Sequence, residues 1–82
     1  MKPDMFVDYM QADIDGVITV ETAKLPDGTK VSGHVVVADH DAEPAVARIL
    51  EVGRDRTVIR ILPGSAEDNA DLLERRSPTF TA

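Results

Sequence analysis

Ala45-Val46-Ala47-Arg48-Ile49-Leu50-Glu51-Val52-Gly53-Arg54-Asp55-Arg56-Thr57-Val58-Ile59-Arg60-Ile61-Leu62 is two apolar, β-branched runs on either side of a short charged turn. Such runs favour a pleated, half-buried surface. They predict strands over 45–52 and 57–62, joined through the loop Arg54-Asp55-Arg56-Thr57. Setting Val52 opposite Ile59 and Leu50 opposite Ile61 gathers the apolar residues on one face, with Glu51 facing Arg60 on the other. A tighter turn, with Val52 opposite Thr57, is the competing register. Arg48 is the discordant residue, because it shares strand parity with Val46, Leu50 and Val52. Either the strand begins after it, or its guanidinium reaches past the sheet end to Asp39 or Asp41.

Upstream, Val35-Val36-Val37 is apolar on both faces, so the strand over 30–38 reads as a central strand rather than an edge strand. Before it, Leu25-Pro26-Asp27-Gly28 has proline where φ near −65° is wanted and glycine where a positive φ is wanted. That turn predicts a hairpin with the strand Val17-Ile18-Thr19-Val20-Glu21-Thr22. The acidic stretch around His40-Asp41-Ala42-Glu43-Pro44 reads as a loop. Asp13-Ile14-Asp15-Gly16 lacks the further acids of a calcium loop and reads as a turn. At the N-terminus, Asp4, Asp8 and Gln11 are spaced as on one helical face, with Met5, Phe6, Tyr9 and Met10 opposite. A helix over 4–12 and a strand over 6–14 are both open readings. Downstream, Ser65 with Asp68 resembles a capping box, and Arg75 and Arg76 suit the far end of a dipole, predicting a helix from Ala66 to about Arg75.

The expected fold is mainly β: a small antiparallel barrel or bent sheet of four or five strands with a C-terminal α-helix. Residues 1–76 form one small domain, as 82 residues hold one core and not two, and 77–82 form a tail. The core must be aliphatic, since the chain has no Trp, one Tyr and two Phe. With no Cys there is neither disulfide nor thiolate chemistry, which favours a cytoplasmic protein. Asp4 and Asp8 interrupt the N-terminal apolar run as no signal peptide would, and no stretch is apolar enough to span a membrane.

The net charge of −6 opposes non-specific attraction to nucleic acid or anionic lipid. It is unevenly placed: the first 47 residues carry three Lys against nine acids, and the remainder six Arg against six acids. His34, Asp39 and His40 are the weak candidates for a metal site, as imidazole and carboxylate are the ligands zinc or iron would take. Their spacing fits no metal motif, so no metal and no cofactor is expected. Serines occupy capping, strand and tail positions, the glycines form no phosphate-cradling cluster, and no carboxylate pair stands out, so the chain does not read as an enzyme.

The stretch from Gly33 to Leu62, a glycine-led valine strand, a polar loop and two strands joined by a charged turn, resembles the strand order of SH3-like small β-barrel proteins. Residues 16–37, with the turn around Pro26-Asp27-Gly28, are similar to small bacterial β proteins of antitoxin-like families. The likenesses imply a barrel architecture and transfer no functional residue.

The functional expectation is a non-enzymatic protein-interaction or accessory module. Its partner is a protein or a second copy, met through Phe6, Tyr9 and Met10, since methionine with aromatics is a common interface composition. The alternative is a small nucleic-acid-binding, antitoxin-like regulator using Arg54, Arg56 and Arg60 together with Arg48. The acidic balance and the absence of aromatic residues beside those arginines weigh against it.

Overall fold

The computed structural model describes residues 2–40 and 42–73 of the chain. Five strands, β1 (Met5–Phe6), β2 (Val17–Glu21), β3 (His34–Asp39), β4 (Ala42–Val52) and β5 (Arg56–Ile61), form one sheet in the order β1-β3-β4-β5-β2. The sheet is mixed. β1 runs parallel to β3, and the other pairs are antiparallel. Met5 from one edge strand and Ile18 from the other pack into a single cluster with Val35, Val37, Ala45, Ala47, Ile49 and Ile59. Both edges can reach one core only because the sheet curls, giving a half-barrel that stays open between β1 and β2.

The predicted hairpin between 17–22 and 30–38 does not form. The local turn does, with Thr29 N–H and Oγ1 both reaching the Pro26 carbonyl and Gly28 at φ 85°. The chain then makes a second turn, closed by Gly33 N–H on the Lys30 carbonyl, so β3 starts only at His34. β2 crosses to the far edge and pairs with β5 instead, which lays Ile18 beside Ile59. A turn fixes direction locally; the pairing that formed puts Ile18 in the core cluster with Ile59.

The β4–β5 register follows the tighter turn. Val52 faces Thr57 and Glu51 faces Val58; a bulge at Leu50 then shifts the ladder so that Ile49 faces Ile59 and Arg48 faces Arg60. A period-two strand slipped by one residue exchanges its faces. The inner residues of β4 are therefore Ala45, Ala47 and Ile49, whereas Leu50, Val52 and Arg48 are exposed. This removes the discordance at Arg48, which lies on the outer face and needs no snorkelling.

Residues 66–73 fold as successive turns ending in a 3-10 helix, Ala70–Leu72, in place of the predicted α-helix, whose continuation to Arg75 lies outside the described residues. The start signal operates: Ser65 N–H donates to Asp68 Oδ2 and Asp68 N–H to Ser65 Oγ. The Asn69 side-chain amide donates to the Pro63 carbonyl at 2.9 Å and, at 3.4 Å, reaches that of Ser65, the acceptor a helical Asn69 N–H would use. It competes there with the i→i−4 ladder. The segment is held by Ala66 N–H on the Pro44 carbonyl, and lays Ala66 and Leu73 over Val36 and Val46 on the outer face. The expected tail, 77–82, and the lower bound of the domain's C-terminus at 76 also lie outside the described residues.

At the N-terminus neither the helix over 4–12 nor the strand over 6–14 forms: the two-residue β1 is followed by a 3-10 helix, Tyr9–Gln11, that Asp8 caps through Met10 N–H. Extended structure wins at Asp4 because its backbone N–H and its carboxylate both bond to Val36 of β3.

Candidate functional site

The opening of the half-barrel is a cleft of about 620 Å³ between its two edges. Phe6, Val7 and Asp8 line it from the β1 side, and Ile18, Thr19 and Glu21 from the β2 side. Asp39, His40 and Lys24 complete the rim, so three carboxylates face one ammonium group.

β2 presents an unused hydrogen-bonding edge to this cleft. Ile61 N–H donates to the Gly16 carbonyl and Thr22 N–H to the Asp55 carbonyl, which sets the phase of the β2–β5 ladder: even-numbered residues bond to β5. Odd-numbered residues point the other way. Val17 is satisfied on that side by Asp13, whose Oδ1 accepts from Val17 N–H and whose own N–H donates to the Val17 carbonyl. Thr19 N–H, Thr19 C=O and Glu21 N–H, on the same side, have no partner among the described residues. The far end of β2 is fixed by a small polar network in which Thr22 Oγ1 meets the fully buried Thr57 Oγ1 at 2.8 Å and donates to the Gly53 carbonyl.

The opposite wall is organised by Asp39. Its carboxylate accepts from Tyr9 N–H at 2.9 Å and from His40 N–H at 2.6 Å, and these two bonds, that of Tyr9 first, hold it below the usual carboxylate range. Tyr9 Oη lies within reach of the Val37 and Glu43 carbonyls, and burial, then the Asp39 charge, pushes the phenol above its ordinary value, keeping it a donor. A carboxyl depressed in the fold contributes stability above its unfolded pKa of about 3.9, and that contribution is lost as pH falls through the folded value. The wall from Asp8 to Gln11 is thus expected to loosen only below about pH 4, and Asp39→Asn should remove that acid limb, read as the pH titration of the Tyr9 amide resonance.

Of the residues singled out in the sequence, Phe6 and Met10 are exposed, Phe6 lining the cleft and stacked on His40 with ring centres 6.2 Å apart. Tyr9 is turned inward against the core. Arg54 is at the β4–β5 turn, Arg56 opposite Glu21 and Arg60 opposite both Val17 and Arg48. His34 and Asp39 occupy the two ends of β3, and no three His, Asp or Glu residues converge on a metal-sized space among the described residues. Thr19 and Glu21 were not picked out by sequence. The alternation of apolar Ile18 and Val20 with polar Thr19 and Glu21 marks a strand with one wet face, but not an open backbone edge. No described helix is long and apolar enough to cross a membrane. Comparison with protein families, with curated proteins and with solved structures gives no match for this chain.

Proposed function

We propose that the chain is a non-enzymatic protein-interaction module that takes an extended, cationic segment of a partner protein into the cleft, as an added strand on β2. The observation that carries this reading is the open edge at Thr19 and Glu21: unpaired strand edges are templates for pairing. Rim charge sets the partner's chemistry, because Asp8, Glu21 and Asp39 outnumber Lys24. The half-barrel also accords with the SH3-like likeness of Gly33 to Leu62, which bears on architecture alone.

The test uses two labelled hexapeptides, (Lys-Val)₃ and (Glu-Val)₃, titrated against the whole chain by fluorescence anisotropy. The lysine peptide should bind, weakening with added salt, and the glutamate peptide should not. Thr19→Pro deletes a donor on the open side while leaving the β5 ladder intact, and should cost the lysine peptide at least about tenfold with unchanged circular dichroism. Equal binding of both peptides, or indifference to Thr19→Pro, would dismiss the reading.

A homodimer is the second reading, favoured by Met10 at 91% exposure and Phe6 at 59%. Sedimentation at micromolar concentration separates the two. A dimer weakened by Met10→Ala would place a second copy there, whereas a monomer leaves the cleft to a different chain.

A further inference from the structure

The outer face of the sheet carries a basic row that the cleft does not involve. Register places His34 opposite Arg48 and Arg48 opposite Arg60, so three consecutive strands present basic residues side by side. Their Cα atoms are about 4.5–5.5 Å apart, the spacing of directly opposed residues in antiparallel pairs. Like charges so opposed destabilise a ladder. Among the described residues nothing relieves this: Arg48 has no carboxylate partner there, and the contact of Arg60 is from Nε to the Asp15 carbonyl at 3.1 Å, a neutral acceptor. At the end of the row, His34 Nδ1 is shut from solvent with no hydrogen-bond partner among the described residues. The row lies one step along the strands from Val36 and Val46, where residues 66–73 cover the face, and Arg48 and Arg60 themselves remain exposed.

We propose that Arg48 and Arg60 form a binding site for one compact phosphate group, with His34 at its margin. Two guanidinium forks on adjacent strands of the sheet supply more donors than one carboxylate can accept, and the two charges match a dianion. A long polyanion fits worse. The chain as a whole is repulsive to it at −6, and Phe6 and Tyr9, the aromatic residues of the described part, belong to the cleft and its wall, leaving no base-stacking platform beside the row. The ligand chemistry is thus a phosphate monoester or free phosphate, and it is independent of the segment proposed for the cleft.

The experiment is an NMR titration of the whole chain, following the Arg Nε–H and backbone amide signals, with inorganic phosphate, O-phosphoserine and the oligonucleotide dT8 in turn. Saturable shifts confined to Arg48, Arg60 and His34 are expected with the first two. Tighter binding of O-phosphoserine identifies an ester as the ligand, and equal binding identifies free phosphate. Arg48→Gln should weaken both by at least about tenfold, whereas Arg54→Gln, at the turn, should leave them unchanged. Without phosphate, Arg48→Gln should raise the thermal midpoint, because it relieves the opposed charges; with phosphate, only the unaltered chain should gain stability. No saturable shift at tens of millimolar phosphate would overturn the proposal. So would tighter binding of dT8 with equal losses on Arg48→Gln and Arg54→Gln, which would mark a nucleic-acid track.

Discussion

Ile59→Ala is expected to lower the stability of the protein by about 3–4 kcal/mol, out of the roughly 4–12 kcal/mol available to a domain of this length. Ile59 is fully buried, and it is the residue through which three strands share one layer, with Ile18 opposite it on β2 and Ile49 opposite it on β4. Removing its outer carbons leaves a cavity that the flanking isoleucines cannot fill, as each is fixed by its own ladder. Leu50→Ala is the comparison: it lies at the bulge with its side chain partly in water, and its loss should cost about 1 kcal/mol or less. Urea unfolding of both variants measures the difference. A loss at Ile59 no larger than at Leu50 would mean that the curled layer is not the core.

Gly16→Ala should be the second large effect, at about 2–3 kcal/mol, from two causes that a companion variant separates. Gly16 has φ 81°, and a Cβ built on it would lie 2.8 Å from the Ile61 carbonyl oxygen, a backbone atom that cannot swing aside. The same pair of residues is joined by the 2.9 Å bond from Ile61 N–H to the Gly16 carbonyl, so displacement would pull β2 away from β5. Gly28 shares the left-handed conformation, at φ 85°, with nothing within 4 Å of its Cβ position. Gly28→Ala should therefore show the conformational cost alone, about 1 kcal/mol. Equal losses at both sites, by the same urea measurement, would show that the approach of Gly16 to β5 is not tight.

The strand cores were legible from composition, but not all their bounds, since 42–44, read as loop, open β4 and 30–33, read as strand, are turn; strand pairing was not legible. The β-branched runs at Val17, at the three valines and on both sides of Gly53 all became strands. Pairing depended on long-range choices that no local pattern encodes: the turn at Pro26 formed without joining its flanks, and β1, two residues long, carries no periodicity to read. The register of β4 misled for a physical reason. Ala45-Val46-Ala47 and Ile49-Leu50 offer apolar residues on both faces, so sequence alone could assign either as the core, and the bulge at Leu50 changes the answer midway. At the C-terminus the reciprocal Ser65–Asp68 bonds formed without the helix they were expected to start, and the reach of the Asn69 amide to the Ser65 carbonyl was overlooked.

The candidate site was less legible than the fold, because it is made of what pairing leaves over. Phe6 and Met10 drew attention as an aromatic and a methionine of interface composition, whereas the edge at Thr19 and Glu21 exists only because β2 stands last in the sheet order. The arginine row likewise requires the register of three strands; in sequence, Arg48 and Arg60 are twelve residues apart and His34 further still.

Amide hydrogen exchange, resolved by residue along β2, tests the open edge most directly. In the free chain Ile18 and Val20 should exchange slowly, as their N–H groups bond to β5, while Thr19 and Glu21 exchange quickly. With (Lys-Val)₃ bound, Thr19 and Glu21 should become protected and Ile18 and Val20 should change little. Protection of Thr19 already present in the free chain, or exchange at Thr19 and Glu21 unaltered by a saturating concentration of the peptide, would contradict strand addition at β2.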